Sequence, residues 1–454
     1  MKNNSTDMTV GNPVRHIVLF ALPALIGNIF QQIYNLADSM IVGRFVGPDA
    51  LAAVGATSSV TFLFFALCNG IGSGGGIIVS QYYGAHDDEY VKKSIVNTGI
   101  IMLFVPIIFG IIGFISAGSF LRLLNTPESI LADAASYIRY MCIGLLFVSL
   151  YNYITSMLRA LGDSKTPLYF LILSAAINVF LDILFVYFFS WGIRGAAIAT
   201  IISQFIAAST CMAYAYKINP FFRLTKRDIR FIPSLASKVF RLGVPMSLQF
   251  ALIAISAMAV QRIVNNYGTV VVAAFTSTNR IEQLIHQPYT TLSASIATFC
   301  GQNYGANKMD RVNEGYKKGL IIMLFITVVM VISMQLFGGA ITSMFVSDPE
   351  IILLGANGLK ITSLFYLALG MIYVVRGVLT GVGDAFFALF NGLVEVVGRF
   401  TIPLLLTQYM GMGAMGIWVS SGIVWVLSGS TAWMRLVSTR RRIRLGKFTR
   451  VSKN

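Results

Sequence analysis

Two acids in apolar surroundings are the residues best placed to do chemistry. Asp38 and Asp182 each lie in a run long enough to cross a bilayer, and no Lys or Arg sits among their helical neighbours. An unpaired carboxylate in such a run is costly and marks a functional site by default. Asn178 precedes Asp182 by four residues, which puts both on one helical face, and Thr200 lies about two turns into the next apolar run. Asp38 precedes a connection by a few residues, Asp182 precedes the turn at Ser190-Trp191, and Thr200 follows Arg194, so all four side chains are expected at similar depth. Carboxylate, amide and hydroxyl oxygens are hard ligands for a small cation, and two close carboxyl groups can hold a proton between them. These residue types leave Na⁺ and H⁺ equally open. A polar cluster that only stitches helices together is the bland alternative.

The run that carries Asp38 has its own pattern. Asn28, Gln31, Asn35 and Asp38 step by three, four and three, so a helix places them on one stripe, with Gln31 and Asn35 as candidates to line a polar cavity. Pro23 removes a backbone donor and gives the helix a bend point, a candidate hinge. The second half of the chain differs in having charges that can cancel: Arg280 with Glu282, and Glu395 with Arg399 four residues on, the favourable order for an intrahelical pair. Asn279, Glu282, His286 and Tyr289 share a stripe there. Glu282 and His286 are the second pair of cavity candidates, with a hydrogen-bonded bundle histidine as the structural reading of His286.

Little else suggests chemistry. Gly70-Ile-Gly72-Ser-Gly74-Gly75 satisfies a dinucleotide fingerprint literally, but a membrane-length run precedes it and no βαβ pattern surrounds it. Small residues that let helices approach closely explain it better. Cys68, Cys142, Cys211 and Cys300 are far apart in apolar runs, with no metal or redox spacing. No nucleophile set, phosphate loop or cofactor motif is found, so an enzyme is not expected. The formal charge of +16 and the basic tail (Arg440, Arg441, Arg442, Arg444, Lys447, Arg450) invite a nucleic-acid reading. Yet 56% of residues are hydrophobic, 11% are charged and mean hydropathy is +0.74, which indicates a lipid-embedded chain with basic loops on one side.

The elements that must position these residues are all helical. Twelve apolar segments of bilayer length lie near 14–41, 51–79, 94–116, 134–157, 167–189, 194–216, 240–263, 271–299, 315–337, 351–375, 385–409 and 414–436. With both termini cytoplasmic, 26 of the 34 Lys and Arg fall in or beside inner regions, and the outer loops proper hold only Arg44, Arg122 and Arg194. The start of the chain carries no cleavable signal pattern. At a constant offset of 221 the two halves coincide. Gln81-Tyr82-Tyr83-Gly84-Ala85 falls on Gln302-Asn303-Tyr304-Gly305-Ala306, Ile100 to Phe104 falls on the identical Ile321 to Phe325, and Gly162-Asp163 falls on Gly383-Asp384. An even number of spans per copy makes this a parallel repeat: two six-helix lobes about a central cavity, a geometry suited to alternating access. The expected organisation is a first lobe at 1–220, a basic cytoplasmic linker at 221–239, a second lobe at 240–437 and a basic cytoplasmic tail at 438–454.

With the duplicated twelve-span plan, the inner motifs at 81–85 and 301–306, Arg159-Ala-Leu-Gly-Asp163 and the first helix with Pro23 and Asp38, the chain resembles the multidrug and toxic compound extrusion (MATE) family over essentially its whole length. The resemblance implies a cation-coupled antiporter in the cytoplasmic membrane that exports amphipathic, often cationic, drug-like compounds against a Na⁺ or H⁺ gradient. Its partners would be those substrates and the lipid bilayer, with no nucleic acid, in a monomer. Members with a first-lobe cation site place an acid on helix one, an Asn and an acid four apart on helix five, and a Thr on helix six. Asp38, Asn178, Asp182 and Thr200 match. A branch that also uses acids on helices seven and ten finds only Gln249 and Tyr366 here. Two rivals stand beside this reading: a flippase for lipid or lipid-linked oligosaccharide, expected to carry more basic residues in its cavity, and a non-transporting membrane scaffold.

Overall fold

The chain is seen in a computed structural model that describes residues 5–123 and 126–444. Among the described residues there is no strand. The helices are α1 Pro13–Phe45, α2 Pro48–Gly84, α3 Asp88–Leu123, α4 Glu128–Ala160, α5 Lys165–Asp182, α6 Gly192–Ile218, α7 Pro233–Val264, α8 Gly268–Gly305, α9 Met309–Ser343, α10 Pro349–Ser363, α11 Tyr366–Gly381, α12 Ala385–Leu404 and α13 Met415–Arg444. Of the basic tail expected at 438–454, the part beyond residue 444 lies outside the described residues.

Ten helical stretches are long and apolar enough to cross a membrane, and α10 with α11, bent by 52° at their break, form an eleventh. One of the ten, residues 233–305, runs for 73 residues. At ~1.5 Å per residue that is more than three bilayer cores in length. A 3₁₀ turn at Asn265–Tyr267 and a positive φ of 83° at Gly268 split it into α7 and α8, so the chain has the twelve crossings expected. It is a multi-pass membrane protein.

The duplication is written into the backbone as well as the sequence. Residues with positive φ recur at the same offset: Gly47 and Gly268, His86 and Asn307, Gly162 and Gly383, Ser190 and Gly411, Gly192 and Gly413. Both copies also carry a short π-helix at the matching place, Ile183–Phe188 after α5 and Leu405–Tyr409 after α12. One difference is local. The single helix α4 corresponds to the broken pair α10–α11, which parts at Leu364-Phe365.

Packing divides the chain into two compact units, Met1–Asp7 with Leu22–Phe250, and Met8–Ala21 with Ala251–Asn454. The division differs from the chain-order lobes because it passes through two helices, α1 after Ala21 and α7 after Phe250. In the expected linker, α7 already begins at Pro233, and its first half belongs to the first unit. There Gly74 faces Gly243 so closely that a Cβ would stand 2.6 Å from the Gly243 amide nitrogen, and a Cβ at Gly70 would meet the Ser247 backbone at 2.4 Å. Ser247 Oγ also donates to the Leu67 carbonyl at 2.7 Å. The glycine run of α2 is thus a close helix–helix contact.

In the second unit, Met8, Ile17 and Phe20 join an apolar core with Tyr289, Phe299 and Tyr366. Asn12 caps α1, accepting from the Val14 amide at 2.9 Å, and Pro13 follows at the first helical position, where its missing N–H costs nothing.

Candidate functional site: an acid pair in the first unit

Three helices of the first unit bring the sequence-predicted set together. Asp182 is the last residue of α5, immediately before the π-helix at Ile183–Phe188, a wide turn of the kind often found at functional sites. One turn earlier Asn178 Nδ2 donates to Thr200 Oγ1 of α6 at 3.4 Å, and Thr200 Oγ1 in turn donates to the Ala196 carbonyl at 3.1 Å. Asp38 of α1 lies within electrostatic reach of Asp182. Asp182 is fully buried and Asn178 is 2% exposed.

The donor balance is lopsided. Both carboxylate oxygens of Asp182, Oδ1 of Asp38 and Oδ1 of Asn178 are buried with no hydrogen-bond donor. Two ionised carboxylates can only accept, so neither satisfies the other. Buried acceptors without donors cost ~1–3 kcal/mol each, and more when charged. A small cation, or a proton placed between the acids, satisfies several at once.

Two residues not singled out from the sequence also lie within electrostatic reach of both acids. Tyr34 on α1 hydrogen-bonds Gln31, and Tyr137 on α4 is buried. Tyr34 stands one turn before Asp38 and was discoverable by spacing; nothing in the sequence pointed to Tyr137.

The cavity candidates are divided between the two units. Gln31 and Asn35 are exposed on α1 in the first unit, while Glu282 and His286 are half-buried on α8 in the second. His286 Nδ1 shares a hydrogen bond with the Tyr373 hydroxyl at 3.2 Å. Glu282 Oε1 is buried without a donor. Pro23 sits half-buried inside α1, two residues beyond the point where the helix passes between units, and the helix is continuous through it.

The charges of the second unit are paired differently from the expectation. Glu395 and Arg399 do approach, at 4.0 Å, but the shorter bond to Glu395 comes from Arg376 Nη2 at 3.0 Å. The same Arg376 nitrogen donates to Asn391 Oδ1 at 2.8 Å, and Ser428 Oγ donates to Glu395 Oε1 at 3.2 Å. Sequence reading had placed Arg376 in an inner connection; it belongs to α11, which runs on to Gly381.

Fold and site together describe a duplicated twelve-helix membrane protein with an unneutralised acid pair in one repeat. The MatE family model matches residues 23–184 and 245–404, one segment in each repeat. The chain belongs to the MATE family of multidrug efflux transporters. It is 31% identical over 413 residues to the probable multidrug resistance protein YoeA of Bacillus subtilis (strain 168), covering 89% of each chain. It is also 31% identical to the probable multidrug resistance protein YpnP of the same organism, covering 94% of this chain and 96% of that one. Among solved structures, an outward-facing MATE family multidrug resistance transporter of the MOP superfamily superposes with a TM-score of 0.90 at 24% identity, covering 99% of this chain and all of that one. A MOP superfamily transporter from Pyrococcus furiosus gives 0.91 at 22% identity, covering 98% and 99%.

Proposed function

We propose that the protein is a secondary active exporter of amphipathic or cationic organic compounds, driven by antiport with Na⁺ or H⁺ through alternating access. The observation that carries this reading is the pair Asp38 and Asp182, within electrostatic reach of each other, with three buried carboxyl oxygens that meet no donor and no basic partner among the described residues. The names of the Bacillus relatives support the substrate class.

In this mechanism Asp38, Asp182, Asn178 and Thr200 receive the coupling cation. Its arrival removes the repulsion of the two carboxyl groups and draws α1 toward α5, with Pro23 the weak point at which α1 bends. Gln31, Asn35, Glu282 and His286 contact substrate. Coupling requires cation and drug to favour different conformations, since a ligand indifferent to the two states shifts nothing. The charge asymmetry of the loops supports a cell-membrane protein with both ends cytoplasmic.

The test is drug efflux from proteoliposomes under an imposed Na⁺ gradient or an imposed pH gradient, beside Asp38→Asn. Efflux driven by one gradient and abolished in the variant is expected. Folded protein that exports under neither gradient, or a variant that exports at the parental rate, would overturn the reading.

A further inference from the structure

The inner motif at 301–306 has no part in the acid site, yet its side chains are occupied. Gln302 Oε1 accepts from the Met8 amide at 2.8 Å, and Asn303 Nδ2 donates to the Met8 carbonyl at 3.1 Å. Arg311 Nη2 donates to the carbonyls of Met8 and Gly11, both at 3.1 Å, while its Nε donates to Asn303 Oδ1 at 3.0 Å. Lys308 Nζ donates to the Thr9 carbonyl at 3.0 Å. A little further along, Ser295 Oγ donates to the Ile17 carbonyl at 2.8 Å. Of the residues so held, Met8 and Thr9 are each 1% exposed, while Gly11 lies at the surface.

Three properties make this a receptor for a peptide segment and not an ordinary loop contact. It reads backbone: every bond to Met8, Thr9 and Gly11 described above is made to a main-chain amide or carbonyl. Its cations are not otherwise neutralised, because among the described residues neither Arg311 nor Lys308 has a carboxylate partner. And its cations are particular to this repeat: Lys308 and Arg311 correspond to Asp87 and Tyr90, and the equivalent segment before α7 is held instead by Asn97, whose Nδ2 donates to the Arg230 carbonyl at 3.0 Å and whose Oδ1 accepts from the Ile232 amide at 2.7 Å.

The segment it grips leads directly through Asn12 and Pro13 into α1, which continues as one helix to Asp38. From Pro13 to Asp38 is about 38 Å of helix. One continuous helix therefore has its start in the second unit and its acid in the first.

We propose that the α8–α9 turn is a releasable latch for residues Met8–Gly11, and that α1 links its occupancy to the ligand state of the Asp38–Asp182 site. The second half of this proposal rests on the transport reading above; the first half does not.

The experiment labels Met8→Cys with a membrane-impermeant maleimide in nanodiscs, in a background whose four buried native cysteines are replaced, with cation-dependent drug binding measured on the same samples. Labelling reports the population of the open state. The parent should label slowly, Arg311→Gln about tenfold or more faster, and Arg311→Lys, which keeps the charge but cannot span two carbonyls, between them. Adding Na⁺, or lowering pH with each rate expressed relative to a free thiol at the same pH, should change the parent's normalised rate severalfold and leave it unchanged when Asp38→Asn is also present.

Labelling of Met8→Cys at the parental rate in Arg311→Gln overturns the latch. So does an equal acceleration at a control cysteine replacing the fully buried Ala274, which would mean general loosening. Drug binding that responds to cation while Met8→Cys labelling does not overturns the link and leaves the transport reading standing. If neither responds, cation coupling itself fails, and the Arg311 comparison still decides the docking.

Discussion

Replacing Asp182 with asparagine should stabilise the protein while abolishing its response to cation. In the parent, Asp182 presents two buried carboxylate oxygens that meet no donor, and the nearby Oδ1 atoms of Asp38 and Asn178 are equally unmet. The amide in Asp182→Asn cannot ionise and supplies two N–H donors. A hydrogen bond to the charged Asp38 carboxylate contributes ~1.5–3 kcal/mol, and one to the neutral Asn178 oxygen ~1 kcal/mol. Since not every donor will find good geometry, the expected gain is about 2–4 kcal/mol in cation-free buffer. The parent should itself be stabilised by cation, by ~2.7 kcal/mol at a hundredfold excess over the dissociation constant, and the variant not at all. Thermal unfolding in detergent across a Na⁺ titration at two pH values, with drug efflux on the same preparations, reads both quantities. The cluster would be a structural one if Asp182→Asn lowered the melting temperature while efflux survived. A variant still stabilised by cation to the parental extent would remove Asp182 from the site.

The network around Glu395 supplies a second expectation. Arg376→Gln or Glu395→Gln alone should cost ~3–5 kcal/mol by leaving a buried charge without its partner, and the double variant less than the sum. The same cycle with Arg399, 4.0 Å away, should show a coupling of about 1 kcal/mol or less, and equal couplings would refute the ranking of the two arginines. On the inner side, Asp228 accepts from the Thr225 amide and hydroxyl, each at 2.7 Å, and these bonds hold its carboxyl below the ordinary range. A depressed folded value means that the contribution is present above the unfolded value and lost as pH falls through the folded one. The protection of the Thr225 amide relative to its intrinsic exchange rate should therefore fall only below about pH 4, and an Asp228→Asn protein should lack that acid step.

Much of the fold was legible because lipid imposes a simple rule: backbone polar groups must be satisfied inside each segment, so apolar runs of sufficient length become helices. The offset of 221 carried over even to the positive-φ residues and the paired π-helices. Asn178, Asp182 and Thr200 could be grouped because spacing on one helix and depth on the next are sequence properties. What could not be read was contact between distant elements. Tyr137 comes from a helix with no polar pattern toward the acids. Arg376 looked like an inner-loop residue because hydropathy marks where a run ends, not where its helix ends. The assignment of Met8–Ala21 to the second unit depends on bonds to Gln302, Asn303 and Arg311, nearly three hundred residues away, which no local pattern encodes.

The two repeats share a scaffold but not their chemistry, and the difference falls at corresponding positions. Asp38, Asn178, Asp182 and Thr200 correspond at the same offset to Ala259, Arg399, Pro403 and Ser421. Where the first repeat has an amide beside an acid, the second has a guanidinium within a network that neutralises Glu395. Conversely, Arg376 and Glu395 correspond to Thr155 and Ser174, so the first repeat contains nothing with which to neutralise its acids in the same way. An ion pair of that kind resists the removal of either partner, whereas an acid pair with open oxygens takes up and gives back a cation readily. One repeat is thereby suited to hold its shape and the other to change with its ligand. Under the antiport proposed above, a charge network in both repeats would leave no open carboxylate to respond to a gradient.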